Sequence, residues 1–282
     1  MQTGKSQTFM CAVFGALLLS TSCSKGPEPP KPGSPAFNWA VARESYKKGD
    51  IVKTNATLEQ LLRGKHEFTA RALPWKIAVA SGMTRGYMEM ADKYETGSKA
   101  SRTDSGSFRK QMTVFRTQAR SIAMQSAEAV NQYLSVPKEA SVTLVFPFPE
   151  GDLDESASLK KVVTGMPLQQ AETEKITLEM IQRGVVQFVC RAAGAPKDLE
   201  KARALFSKEE TSIPSGQFLM AVAQTMYEIS DLYTPKKMDE PDKQKIFCDQ
   251  ALKALEGVPA SKEKKDLDGK IQAALKKIRG NR

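Results

Sequence analysis

"SFRKQMTVFRTQARSIAMQSAEAVNQY", residues 107–133, sets Phe108, Met112, Phe115, Ala119, Ile122, Ser126, Ala129 and Tyr133 apart by alternating steps of four and three. With 3.6 residues to a turn, that rhythm gathers all eight on one side of an α-helix, a stripe roughly 40 Å long. A half-buried strand would alternate at every second residue instead. An apolar stripe of this length is read as the core face of a long helix, and it makes the chain helical.

The same rhythm continues on both sides. Upstream, helices are expected over 38–48, 57–63 and about 75–94. Gly49 in "KKGD" acts as a helix stop, "TLEQ" at 57–60 as a capping box, and "ETGSKASRTDSGS" at 95–107 as a polar loop. Downstream, Leu178, Ile181, Val185, Phe188 and Ala192 form one stripe, ended by "GAP" at 194–196. Pro196 is expected to open the next helix, with Leu199, Ala202 and Phe206 inward. Leu219, Val222, Met226, Ile229 and Tyr233 form another stripe. Pro241 opens a helix that ends at Gly257, and Ser261 caps a last one carrying Leu267, Ile271, Ala274 and Ile278.

One stretch breaks the pattern. Residues 141–146, "SVTLVF", are rich in β-branched and apolar types, and Pro147 and Pro149 follow. A short strand is expected there, paired with "KKVV" at 160–163 across an acidic loop. The expected organisation is therefore a helical part over 37–137, an extended insertion over 138–165, and a second helical part over 166–282. The fold class is mainly α: an irregular helical bundle or a short α-solenoid of helical hairpins, with a small β-hairpin near 141–163.

The amino terminus differs in kind. "MQTGKSQTF" carries one cation, "MCAVFGALLL" is uniformly apolar, and "STS" at 20–22 is small. This order is that of a secretory signal peptide over 1–22. Ten apolar residues rise only about 15 Å as a helix, too little to span a bilayer. With the cysteine that follows, "LSTSC" at 19–23 resembles the lipobox of bacterial lipoproteins, although Leu19 stands one place further from the cysteine than the family's leucine. The resemblance implies cleavage before Cys23, a diacylglycerol on its sulfur and acylation of the new amino group. It implies an exported, membrane-anchored lipoprotein facing the periplasm, on the outer membrane if the source is proteobacterial. Cleavage nearby to give a free secreted protein is the alternative. Residues 23–36 continue as "CSKGPEPPKPGSPA", in which proline excludes helix and central strand. Such a segment is a semi-extended tether of about 40 Å.

Composition narrows the function. The chain of 282 residues has 42 Lys+Arg against 32 Asp+Glu, a formal charge of +10. The lysines are dispersed among glutamates, as on a solvated helix surface, and no RNA-binding, zinc-finger or basic-zipper signature occurs, so no nucleic acid is expected as partner. His66 is the only histidine, which excludes His-pair metal sites within one chain. Any Ser-His-Asp or Cys-His mechanism would run through it, and "RGKHEFTAR" reads as a surface helix. No phosphate-binding glycine loop is present. "EGDLDES" at 150–156 departs from the EF-hand pattern, since Val163 stands at the twelfth position from Asp152.

Once Cys11 leaves with the signal peptide and Cys23 takes lipid, Cys190 and Cys248 remain. Outside the cytoplasm they are either a disulfide, worth about 4 kcal/mol for a loop of this length, or two buried free thiols.

An internal echo aligns "MEMADKYETGSKA" at 88–100 with "YEISDLYTPKKMD" at 227–239, so that Glu89, Asp92 and Tyr94 fall on Glu228, Asp231 and Tyr233. "ARESYKKGDIVKT", with Tyr46, Gly49 and Asp50, resembles the hinge of a tetratricopeptide helical pair, and "LEKARALFSKE" and "FCDQALKALEGVP" resemble second helices of such pairs. The spacing is not a strict 34 residues. What the resemblance implies is a scaffold of helical hairpins that binds other proteins.

The expectation is a lipid-anchored envelope protein whose helical domain binds an envelope protein partner, with no catalytic residue, no metal site and no cofactor beyond the acyl lipid on Cys23. The alternatives are an envelope enzyme or wall-polymer-binding protein using carboxylates such as Asp152 and Glu155, and a basic protein coating an anionic polymer.

Overall fold

Residues 72–84 are buried without interruption, from Ala72 through Lys76 and Ser81 to Thr84. A helix buried on every side must lie at the centre of its fold, and this one, α3, is the axis of the molecule. A computed structural model describes residues 30–136, 139–144, 157–196, 198–206 and 210–280. Before the axis come α1, Pro35–Lys47, and α2, Ile51–Leu61; α3 itself is Thr69–Ala100. Next are α4, Ser105–Ser135; β1, Ser141–Leu144; α5, Ala157–Val163; α6, Gln170–Ala192; α7, Leu199–Leu205; and β2, Thr211–Pro214. Then α8, Ser215–Ser230, runs through a 3-10 turn, Asp231–Tyr233, toward α9, Pro241–Glu256, and α10, Lys262–Gly280.

The mainly helical fold class holds. The arrangement is an irregular bundle, because α3 touches α2, α4, α5, α6, α8 and β1 rather than only its neighbours in sequence, as the units of a solenoid would. One hydrophobic cluster runs from Trp39 on α1 to Ile278 on α10. In the stripe on α4, Phe108, Phe115, Ala119, Ser126, Ala129 and Tyr133 are buried, and Met112 and Ile122 are partly so. On α6 the stripe holds except at Leu178, which is 43% exposed.

Local signals decide several ends. Gly49, with φ of +76°, closes α1, and the Asp50 carboxylate accepts from the Lys53 amide at 3.0 Å to cap α2. Ser261 caps α10 through the Lys264 amide at 3.1 Å. The second helix therefore begins at Ile51, not at "TLEQ", where Thr57 instead bonds the Lys53 carbonyl inside the helix at 2.8 Å. Likewise α7 starts at Leu199 with Asp198 as its cap, and Pro196 lies in the preceding turn.

The helix α3 is longer at both ends than the span of about 75–94 expected from the sequence. Pro74 lies inside the helix near its start and removes one backbone donor without ending it. Gly97 does not stop the helix either. A Cβ there would sit 2.2 Å from the Val162 carbonyl oxygen and 2.6 Å from the Phe108 ring. The glycine is a contact, not a breaker.

The small sheet is also wired differently from expectation. β1 pairs antiparallel with β2, Val142 opposite Ile213, some seventy residues later in the chain. Residues 160–163 belong to α5, whose Leu159 and Val162 lie on one helical face against α3 and are fully buried.

Candidate functional site

The site grows out of one close crossing. A Cβ on Gly184 would sit 2.1 Å from the Gly82 carbonyl oxygen, and one on Gly82 would sit 2.5 Å from the Val185 backbone. Gly86 meets Ile181 at 2.7 Å in the same way. Only glycine lets α3 and α6 approach this closely. Running antiparallel from that contact, α3 presents Arg85, Glu89 and Asp92 at helical spacing, and α6 presents Arg183 and Gln187 one turn apart. Together with the end of α8, the 3-10 turn and α10, they line a cleft of about 1120 Å³.

The charges in the cleft interlock. Glu228 at the end of α8 takes Arg191 in a two-pronged contact at 2.7 and 2.8 Å and also pairs with Arg85. Three helices are tied through one carboxylate. Burial draws Arg85 down from its ordinary value and Glu228 opposes that shift. Lys237 bridges Asp231 at 2.9 Å and Asp92 at 3.1 Å. Burial works against its charge, but the two aspartates prevail and hold the ammonium above its ordinary range. Glu89 faces Arg183 at 3.4 Å. These groups are part-exposed, so each pair contributes on the order of 1 kcal/mol or less and serves mainly to fix orientation.

Not every polar atom here is paired. Beyond the ion pair that Arg183 Nη1 makes with Glu89, the Nε of Arg183, the Oε1 of Gln187 and the hydroxyl of Thr225 are buried without a hydrogen-bond partner, and all three residues line the cleft. Thr225 is only 3% exposed. Across from them, Lys270 and Lys277 stand exposed on α10 and form no ion pair among the described residues.

The echo read in the sequence meets here for a different reason. Glu89 and Asp92 lie in the middle of α3 rather than at a helix end, while Glu228 and Asp231 close α8. The four carboxylates nevertheless line one cleft, and Asp92 and Asp231 share Lys237. Tyr94 packs instead on Phe108 and Phe115, and Tyr233 stacks on Phe247 at 5.1 Å. Arg85, Arg183, Gln187, Thr225 and Lys237 were not singled out in the sequence. The available signal was Arg183 and Gln187 inside the apolar run of α6.

The other sequence candidates fall elsewhere. His66 is a turn residue between α2 and α3, not a helical one. Its Nε2 donates to the Leu61 carbonyl at 2.6 Å, and its Nδ1 accepts from the Phe68 amide at 3.2 Å. Both ring nitrogens thus hold the connection. Cys190 and Cys248 form no disulfide: each is a buried free thiol, and burial pushes Cys190 up to about 11. Cys23, Asp152 and Glu155 lie outside the described residues. Among the described residues no group of three His, Cys, Asp or Glu side chains is arranged to hold a metal ion, and no helix is long and apolar enough to cross a membrane.

A second groove of about 740 Å³ is lined by apolar, amide and hydroxyl side chains of α3, α4 and α6 together with Glu174, with Val114 and Leu178 exposed at its rim. Compared with family models, with curated proteins and with solved structures, the chain matches none.

Proposed function

We propose that this chain is a lipid-anchored envelope protein that binds another protein, and that the charged cleft between α3, α6, α8 and α10 is the seat of that binding. The lipobox-like "LSTSC" and the proline-rich segment after it support the anchor. The observation that carries the binding reading is the state of the four carboxylates that α3, α8 and the 3-10 turn bring to the cleft, with Asp239 the fifth on its wall. Glu89, Asp92, Glu228 and Asp231 each face an Arg or Lys. A carboxylate held this way orients neighbours and recognises charge, whereas proton transfer needs one within reach of an exchanging group. The exposed lysines of α10 add a basic rim that steers an acidic partner toward the cleft.

The test is in-cell photo-crosslinking from position 273 on α10, at the cleft wall, followed by affinity purification and mass spectrometry. One or two stoichiometric envelope proteins are expected, and they should be lost in the double variant Lys270→Glu, Lys277→Glu while its melting temperature stays unchanged. Recovery of wall fragments with no protein would overturn the reading. For the anchor, labelled fatty acid should enter the wild type but not Cys23→Ala.

A further inference from the structure

One side of α10 carries cations that nothing in the fold answers. Lys262, Lys265, Gly269, Gln272, Lys276 and Arg279 follow one another by steps of three and four, and all six are exposed. At about 100° per residue they form a single row about 25 Å long, on the side of the helix turned away from the buried Leu267, Ile271, Leu275 and Ile278. Glu263, Asp266 and Asp268 lie off the row. Elsewhere exposed lysines fold back on a carboxylate one turn away, as Lys48 does on Glu44, Lys99 on Glu95 and Lys245 on Asp249. Among the described residues the four cations of the row form no ion pair. A side chain at Gly269, in the middle of the row, would meet nothing within 4 Å.

What complements a long, straight row of unpaired cations is an extended anionic surface. The phosphates of a bilayer continue in every direction along the row, so each cation finds one without the helix having to bend. From this charge complementarity, and resting on the lipid anchor proposed above, we infer that α10 lays its outer face on the anionic phospholipids of the membrane that holds Cys23. The anchor is what selects a membrane among anionic surfaces. A domain of this size is roughly 45 Å across. A tether of about 40 Å therefore keeps every face of it within reach of the lipid and holds the local concentration of headgroups high.

In that arrangement Lys262, Lys265, Lys276 and Arg279 stand over headgroup phosphates, each strengthening the contact about fivefold. The row holds no apolar side chain, so the helix rests on the surface and does not insert. Lys264 takes no part: it donates to the Val258 carbonyl at 2.7 Å and closes the turn before the helix. Lys270 and Lys277 lie roughly 120° round the helix from the row, on the wall of the cleft. A domain docked by the row therefore holds its cleft beside the membrane, open to a partner, and not against it.

The test uses the full chain, purified from membranes in mild detergent, with Gly269→Cys labelled by a fluorescent donor; Cys190 and Cys248 are buried. It is reconstituted into vesicles of phosphatidylcholine alone and into vesicles with an equal part of phosphatidylglycerol, both carrying an acceptor on the headgroups. Energy transfer should be high only in the anionic vesicles, and it should vanish in about 1 M salt, where the screening length falls to about 3 Å. The variant Lys262→Gln, Lys265→Gln, Lys276→Gln, Arg279→Gln should lose the transfer at an unchanged melting temperature. Lys276→Gln alone should shift the ratio of docked to free domain about fivefold. Equal transfer in both kinds of vesicle, or full transfer by the folded quadruple variant, would overturn the inference. Tighter capture by purified wall polymer than by anionic vesicles would overturn it too, in favour of the polymer. Flotation with the phosphatidylcholine vesicles reads the anchor separately. A chain that floats there but shows no charge-dependent transfer keeps the anchor and loses the α10 surface; one that does not float overturns the anchor, and this inference with it.

Discussion

Two buried polar sites lie along α3 on either side of the Gly82 crossing, and they are built by opposite rules. At Lys76, 3% exposed, the ammonium donates to the Asn55 carbonyl at 3.2 Å, to Asn55 Oδ1 at 2.9 Å and to Gln125 Oε1 at 3.1 Å, and it pairs with Glu59 at 3.4 Å. Asn55 completes the ring by donating to Gln125 at 2.9 Å, and close by Ser81 and Ser126 bond each other at 2.8 Å. At the cleft, Arg183, Gln187 and Thr225 keep open atoms. A polar group that joins helices is stabilising only if its bonds close inside the protein. One whose bonds stay open costs the fold stability. The first site belongs to the architecture, and the second is where we propose that a partner binds.

The largest blow to this contrast would fall between the two sites. Gly184→Leu forces a side chain against the Gly82 carbonyl, a backbone atom that cannot swing aside. It should cost roughly 3 kcal/mol and splay α3 from α6. A loss of unfolding free energy below about 0.3 kcal/mol in urea titration would show that the crossing is not what holds the cleft. Lys76→Ala comes next, at about 2 kcal/mol, because it opens a void and leaves the Asn55 Oδ1 without its donor.

The Lys76 effect should also depend on pH, with a definite sign. Burial lowers the pKa of Lys76 below 10.5, and Glu59 opposes this. Between the lowered folded value and 10.5 the unfolded chain binds more protons than the folded one, so the lysine's contribution rises with pH across that window. The stability difference between wild type and Lys76→Ala should therefore widen as the pH approaches 10.5. A difference that shrinks would mean that the folded protein favours the charged form.

Glu228→Gln probes the paired part of the cleft. It leaves Arg85 and Arg191 without their carboxylate and should cost roughly 1–2 kcal/mol, tempered by the exposure of Glu228. The smallest change runs the other way. Thr225→Val removes an unsatisfied buried hydroxyl and should raise stability by about 1 kcal/mol. Loss of stability instead would mean that the hydroxyl serves the fold, and the contrast between the two sites would collapse.

Much of the fold is readable because helices announce themselves locally. The stripe from Phe108 to Tyr133, the αL glycine at 49, the cap at Ser261 and the span from Pro241 to Gly257 each depend on residues within a few positions of one another. The misreadings have one cause in common. The loop expected over 95–107 is helical as far as Ala100, and "KKVV" is helix rather than the strand partner expected for 141–146, because these outcomes depend on Val162, Phe108 and β2, which no local window contains. The site was half visible in the same sense. Glu89, Asp92, Glu228 and Asp231 stood out as an echo, but an echo says nothing of contact.

By itself the sequence determined that the chain is a set of amphipathic helices, since periodicity, caps and composition are properties of neighbouring residues. Only the tertiary structure decided that α3 is central, that three glycines set its distance from α6, and that residues from 85 to 277 converge on one cleft. Those outcomes rest on contacts between segments far apart in the chain, and hydrophobic patterning specifies which face of a helix is buried but not which helix will cover it.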